Sequence, residues 1–405
     1  MTPQPPARFF DRRTPPHIIT LVLIAGLSSL NQNIFLPALP EMAAFFKTDY
    51  AVMQLTLSGY LAGTALLQLV IGPLSDRYGR RPVMIGALAI MLIASLCCIF
   101  ATNVTVFLTA RMVQTAVVAG LVLSRAIVRD MVPLEEAASM LGYVTMGMAL
   151  VPMFGPAVGG ILSETFGWQA CFAALAILTL LILIIVAADL GETNRQPIGS
   201  FRAQFRVWPH LLASRLFWSY ALISVFVSGA FFSFLGGAPF AGTTLLKLSP
   251  SALGLQFLYT AVGYMVGNFF SGLFAKRLGI RQMLVIGNGI TFIGIGFALV
   301  MAMAGHFTAL SFFGSMVLMG LGNGVALPSA NAGMVSVRPD LAGSASGLGG
   351  ALTLGLGAIL SVIAASIMTE ETGAMPLLIV MFTCALIAMV SIATLPRNLD
   401  TVVRG

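Results

Sequence analysis

Charge is what this chain has least of. Only 9% of its 405 residues are Asp, Glu, Lys or Arg, where a soluble domain carries about 25%. With 58% hydrophobic residues and a mean hydropathy of +0.97, a water-soluble globule is excluded and an integral membrane protein is expected. Histidine is scarcer still. His17, His210 and His306 fall near the ends of apolar runs and form no cluster of the kind an enzyme needs. The four cysteines, Cys97, Cys98, Cys171 and Cys384, lie inside apolar runs with no C-x-x-C pair and no histidine at metal spacing, so buried thiols are expected rather than a metal site. A formal charge of +7 comes without any long basic run, which argues against nucleic acid and for a topological cause. Acids are missing from the middle of every apolar run. No catalytic residue, metal or cofactor is expected.

What the chain does have is apolar length. A spanning helix needs about 20 mainly apolar residues, and twelve such runs can be cut, at 17–39, 51–73, 82–102, 104–128, 137–162, 167–189, 215–238, 252–275, 281–303, 306–328, 341–368 and 374–395. The first continues past signal-peptide length and lacks a small-residue cleavage site, so it reads as a retained span. Apart from Lys47, Lys247 and Arg111, the other 18 of the 21 Lys and Arg residues sit at the N-terminus, in or beside even-numbered loops, or at the C-terminus. The positive-inside rule then places both termini in the cytoplasm.

One sizeable break, 191–214, divides six runs from six, giving an N-terminal unit over 1–190 and a C-terminal unit over 215–405. Within the break Phe201, Phe205 and Leu212 recur at roughly helical spacing opposite Arg202 and Arg206, which fits a short helix lying on the membrane surface. A solvated linker with a greasy side fits as well. At an offset of 200 residues Gly63, Gly72, Arg77, Gly79 and Arg81 match Gly263, Gly272, Arg277, Gly279 and Arg281, which supports a duplicated six-helix unit. Lys276 stands opposite Asp76.

The turn between the second and third runs, Gly72-x-x-x-Asp76-Arg77-x-Gly79-Arg80-Arg81, resembles the G-x-x-x-D-R-x-G-R-R/K signature of the major facilitator superfamily. The resemblance implies an all-α membrane protein of twelve helices in two pseudo-symmetric six-helix bundles. Physically, Gly72 would admit a neighbouring helix and Asp76 would face an arginine or a helix N-terminus. A cytoplasmic gate of Gly72, Asp76, Arg77, Gly79, Arg81, Arg129 and Asp130 follows. A bare positive-inside anchor is the alternative.

In the fourth run Arg111 lies about 10 Å in from the outer end. An arginine at that depth reads as a cavity or pathway residue with a partner, or as one snorkelling outward. Arg111 with Gln114 resembles the superfamily's R-x-x-Q pattern. Arg125-Ala126-Ile127-Val128-Arg129-Asp130 resembles the Bcr/CflA group of bicyclomycin and chloramphenicol exporters. So does Asn33-Ile34-Phe35-Leu36-Pro37-Ala38-Leu39-Pro40, except that the group carries a proton-coupling aspartate where this chain has Asn33. An amide does not titrate near neutral pH. Arg111 and Asn33 fall at comparable heights, so Arg111 is expected to meet either an anionic substrate group or Asn31, Asn33 and backbone carbonyls.

The fifth run carries Pro152, Gly155, Pro156, Gly159 and Gly160, a small-x-x-x-small face with helix-bending prolines. Its G-P-x-x-G-G order resembles the superfamily's exporter motif. Asn268, Asn288, Asn323 and Asn331, with Phe231, Phe232 and Phe234, offer polar and aromatic wall for a central cavity, Asn268 and Asn331 foremost. Glu41, Glu164, Asp189, Glu192, Glu370 and Glu371 lie at run ends or in loops, where solvated faces are expected. Glu135 and Glu136 suit a helix N-terminus, and Asp130 and Glu164 remain as interface carboxylates for proton coupling.

The expectation is a monomeric efflux transporter for small amphiphiles in a bacterial inner membrane, working by alternating access and drug:proton antiport, with a cavity of Asn31, Asn33, Arg111, Gln114, Asn268 and Asn331. Its partners would be the substrate, protons and the lipid bilayer, with no nucleic acid. A carrier for a specific metabolite with different or no proton coupling, and a non-transporting receptor, are the alternatives.

Overall fold

Apolar runs this long must satisfy their backbone internally when no water is present, and helices do so within each segment. The computed structural model describes residues 9–132, 134–194, 208–338 and 341–396, with side chains at 140, 141, 144, 151 and 154–166 of the helix Leu134–Phe166. Pro152, Glu135 and Glu136 therefore lie outside the described side chains, and Phe201, Arg202, Phe205 and Arg206 outside the described residues.

The first six spanning helices are α1 (Ile18–Asn33), α2 (Leu55–Tyr78), α3 (Arg80–Ile99), α4 (Val104–Met131), α5 (Leu134–Phe166) and α6 (Gln169–Asp189). α7 (Arg215–Phe240) follows, then the stretch Pro250–Met303, which turns sharply at Gly279 into α8 (250–278) and α9 (280–303). α10 (Met316–Ser336), α11 (Ala342–Ser366) and α12 (Met375–Ala393) complete the set. Ten helical stretches are long and apolar enough to cross a membrane among the described residues. Dividing one of them at Gly279 and adding α5 yields the twelve spans read from the sequence.

Two glycines make the sharp turns. Gly79, between α2 and α3, has φ +98°, and Gly279, between α8 and α9, has φ +75°. Both are conformations that side-chain-bearing residues rarely adopt, and they stand at matching places in the repeat. Starts are capped where the sequence offers an oxygen: Asn103 accepts from Val106 N, Ser214 from Phe217 N and Ser249 from Ala252 N.

Polar groups point inward and apolar ones outward. Leu66, Ile93, Leu180, Phe269, Ile293 and Val390 are exposed, while Thr20, Asn31, Ser95, Arg111, Gln114, Asn288 and Ser361 are wholly buried. That inversion suits a lipid surround, and the protein is a multi-pass membrane protein. Asp189 corrects the expectation of a solvated face. It is fully buried and accepts hydrogen bonds from Phe10 N, His17 N and Thr20 Oγ1 at 2.9, 2.9 and 2.6 Å, tying the N-terminal segment to the end of α6.

The two sets of six helices meet where small residues permit. A Cβ on Gly160 of α5 would strike Pro250 O, and one on Gly254 of α8 would strike Pro156 O. Within the first set, a Cβ on Gly159 would collide with Ile34 O. The tight face expected of the fifth run is therefore real. Gly72 differs, since among the described residues nothing lies within 4 Å of where its Cβ would be.

Candidate functional site

Four polar constructions stand out, one at each end of the bundle and two between.

At the basic end, α2 stops at Tyr78, Gly79 reverses the chain, and Arg80 opens α3. That reversal brings Arg80 back over the last turn of α2. Its guanidinium meets Asp76 at 2.5 Å and Asp130 at the end of α4 at 3.0 Å, and donates to Ser75 Oγ at 2.5 Å. Arg80, 8% exposed, thus holds two carboxylates, although the gate read from the sequence named Arg77, Arg81 and Arg129 and not Arg80. Arg77 is exposed and lies over the Tyr78 ring at 5.3 Å. Arg81 donates to Leu190 O and Ala187 O at the end of α6, at 2.8 and 3.3 Å. Glu192 is exposed, as the loop position suggested, and also accepts from Arg80 N and Arg81 N at 2.9 and 3.2 Å, capping α3. Arg129 is exposed, its Nη1 3.8 Å from where a Cβ on Gly343 would stand.

At mid-depth Arg111 is wholly buried and meets no acid among the described residues. Its Nη1 donates to Asn31 Oδ1 and Gln114 Oε1 at 2.7 Å each, Nη2 to Asn31 O at 2.7 Å, and Nε to Thr56 O at 3.1 Å. The rings of Phe35 and Tyr60 cover the cation at 4.5 and 4.3 Å. Gln114 passes the chain on to Ser95 Oγ at 2.9 Å. Of the two partners the sequence offered, the amide and carbonyl set is the one occupied, without Asn33, whose Nδ2 donates to Ser29 O at 3.0 Å.

Between the two sets of helices lies a cavity of about 390 Å³, within the 300–1,000 Å³ usual for small-molecule sites. Asn33, Gln32 and Ser29 of α1 face Asn323 and Asn331 of α10; Phe231 and Phe232 of α7 and Phe257 and Tyr264 of α8 supply aromatic wall; Pro156 of α5 and Arg125 of α4 complete it. Of the six residues expected there, Asn33 and Asn331 line the cavity. Asn31, Arg111 and Gln114 lie behind its wall in their own network, and Asn268 binds Tyr264 O at 2.8 Å one turn beyond the lining. Asn288 ties α9 to α12 through Ala385 O at 2.9 Å. Arg125 carried a motif but no role in the sequence; it stands about four turns along α4 from Arg111, a spacing that puts both near one face.

At the far end the helix sets are fastened together. Tyr50 Oη donates to Gly236 O at 2.8 Å, Gln54 Nε2 to Ser361 Oγ at 2.9 Å, and Ser251 N, in the first turn of α8, to Glu164 Oε2 at 2.9 Å. Ser163 Oγ donates to Glu41 at 2.6 Å beside them. Glu164 and Glu41 thus also have partners.

Comparison with known proteins agrees with this architecture. Residues 21–362 match the Major Facilitator Superfamily. The chain is 30% identical over 384 residues to an uncharacterised MFS-type transporter, YdgK, of Bacillus subtilis, covering 93% of this chain and 94% of that one. It is 30% identical over 345 residues to a chloramphenicol resistance protein of Pseudomonas aeruginosa, covering 82% and 81%. The crystal structure of a D-xylose-proton symporter superposes with a TM-score of 0.72 at 15% identity over 92% of this chain and 96% of that one, a likeness of fold alone. With twelve spans, a cavity between two six-helix sets and a family match over most of its length, this chain belongs to the Major Facilitator Superfamily and is a transporter.

Proposed function

We propose that the protein exports small amphiphiles from the bacterial cytoplasm across the inner membrane by alternating access, as a monomer. The observation that carries this reading is the cavity: amides and aromatic rings of both helix sets face one space, closed off at one end by contacts between the sets. An amphiphile would bury its rings against Phe231, Phe232 and Phe257 and its polar groups against Asn33, Asn323 and Asn331. The two units, 1–190 and 215–405, would rock about this site. The distribution of Lys and Arg puts the Gly72–Pro82 turn and both termini in the cytoplasm, so the fastened end faces outward. Export rather than uptake is supported by the fifth-helix motif and by relatives named for resistance to chloramphenicol, bicyclomycin and multiple drugs.

Proton antiport is the usual companion of this mechanism, yet one observation favours a different or absent gradient: the described cavity lining contains no carboxylate, and Asn33 stands where the resembling group has its acid. A decisive experiment uses everted vesicles from an exporter-deficient bacterial host. They are loaded with labelled chloramphenicol while internal pH is followed. Accumulation above host vesicles supports export, and proton release locked to substrate entry would identify antiport. No accumulation, together with no gain in resistance across a drug panel, would contradict export.

A further inference from the structure

The cavity has one sign of charge. Among the described lining residues Arg125 is the one with a charged side chain; the others are amides, hydroxyls, aromatic rings and aliphatic groups. Four facts make this cation available. It is exposed, although it sits in the membrane-spanning stretch of α4, so its exposure is to the cavity. No hydrogen bond or ion pair engages it among the described residues, whereas Arg80, Arg81 and Arg111 are each held by at least two oxygens. The nearest carboxylate along its own helix, Asp130, lies about 7.5 Å further on and is already taken by Arg80 at 3.0 Å and Thr193 at 3.3 Å. Finally, Arg129, one turn on, adds a second positive charge on the approach from the basic end.

We infer that Arg125 is the charge-selecting residue of the cavity, and that the preferred substrates are aromatic amphiphiles bearing a carboxylate or another single anionic group, with neutral ones second and cations refused. A guanidinium offers a flat bidentate face to a carboxylate, and in a cavity walled by phenylalanines that pair is shielded from water on most sides. A cation would bring a like charge toward Arg125 with no acid in the described lining to offset it. The ring would lie against Phe231, Phe232 and Phe257, and the amides of Asn33 and Asn331 would take the remaining polar groups. This rests on the cavity being the transport site, and sharpens that reading from small amphiphiles to acidic ones.

Three probes of one shape test it: labelled 2-naphthoate, 2-naphthamide and 2-naphthylmethylammonium, measured by equilibrium dialysis against the full chain in lipid nanodiscs, with empty nanodiscs subtracted. The wild-type protein is expected to hold naphthoate about tenfold more tightly than naphthamide, equivalent to about 1.4 kcal/mol, and the ammonium more weakly than either. Arg125→Gln is expected to bring the naphthoate-to-naphthamide ratio to about one, Arg125→Lys to restore most of it, and Arg125→Glu to reverse the order in favour of the ammonium. The lysine and glutamate variants keep the test meaningful should one variant fold poorly. Equal binding of naphthoate and naphthamide by the wild type, or a ratio that survives Arg125→Gln, would overturn the charge assignment while leaving the cavity as the site. Binding of all three probes that is unaffected by Phe231→Ala and Asn33→Ala would instead overturn the cavity reading, and this inference with it, as would no binding of any probe.

Discussion

Two arginines three residues apart behave oppositely, and the difference is set by one glycine. Arg77 is the last-turn residue of α2 and points away from the bundle, while Gly79 turns the chain so that Arg80 faces Asp76 and Asp130. Removing Arg80 leaves Asp76 without its cation and Asp130 with Thr193 alone; removing Arg77 breaks no ion pair among the described residues. Arg80→Ala should therefore lower stability by about 1–2 kcal/mol, and Arg77→Ala by less than about 0.5 kcal/mol, read as thermal midpoints in detergent. The motif's spacing announced a charged clasp, but which arginine closes it depends on the direction of a turn, and that is not written in the order of the residues. Arg111 presents the same limit. Its burial was legible from its depth in the run, but the neutral identity of its partners needed α1, α2 and α4 to be placed against one another. Its four acceptors match the fork of a guanidinium, so Arg111→Lys, with the charge kept, should still cost about 2 kcal/mol. Naphthamide affinity per folded molecule should stay within about twofold, since Arg111 lies behind the cavity wall. A selective loss of binding with stability unchanged would count against that placement.

At the scale of elements, the close approach of α5 and α8 holds the fastened end shut. Gly160 and Gly254 admit the opposing carbonyls of Pro250 and Pro156, and Glu164 caps the first turn of α8 through Ser251 N. A Gly160→Val side chain would push Pro250 away and cost about 1–3 kcal/mol of the fastened arrangement. Iodoacetamide labelling of a cysteine placed at Ser361, which Gln54 covers in the fastened form, should then speed up several-fold relative to the same cysteine with Gly160 intact. An unchanged rate would show that this face does not gate the end. The helices themselves were legible from apolar length, and the turns at Gly79 and Gly279 from the repeat. The tighter turn at Gln114–Val117 within α4 and the wider turns at Ala241–Leu245 and Leu310–Gly314 were not. Such local changes of winding answer to packing against neighbours rather than to hydropathy.

For the whole molecule, the cavity and the fastening are parts of one device. The two helix sets touch at the end away from the basic turn, and substrate bound between them would bias the balance between closure at one end and closure at the other. That a central polar space existed was legible from asparagines inside spans. Which asparagines faced it was not, because Asn268 and Asn331 differ in orientation rather than in type or depth.

Reciprocal motion is the central claim, and paired distances measure it most directly. In a protein whose native cysteines, including exposed Cys97, have been replaced, spin labels are placed on exposed Thr105 and His306 at the fastened end, and in a second sample on exposed Arg13 and Lys276 at the basic end. Saturating 2-naphthoate should lengthen the first distance and shorten the second. Distances that both hold still, or that lengthen together, would contradict the account.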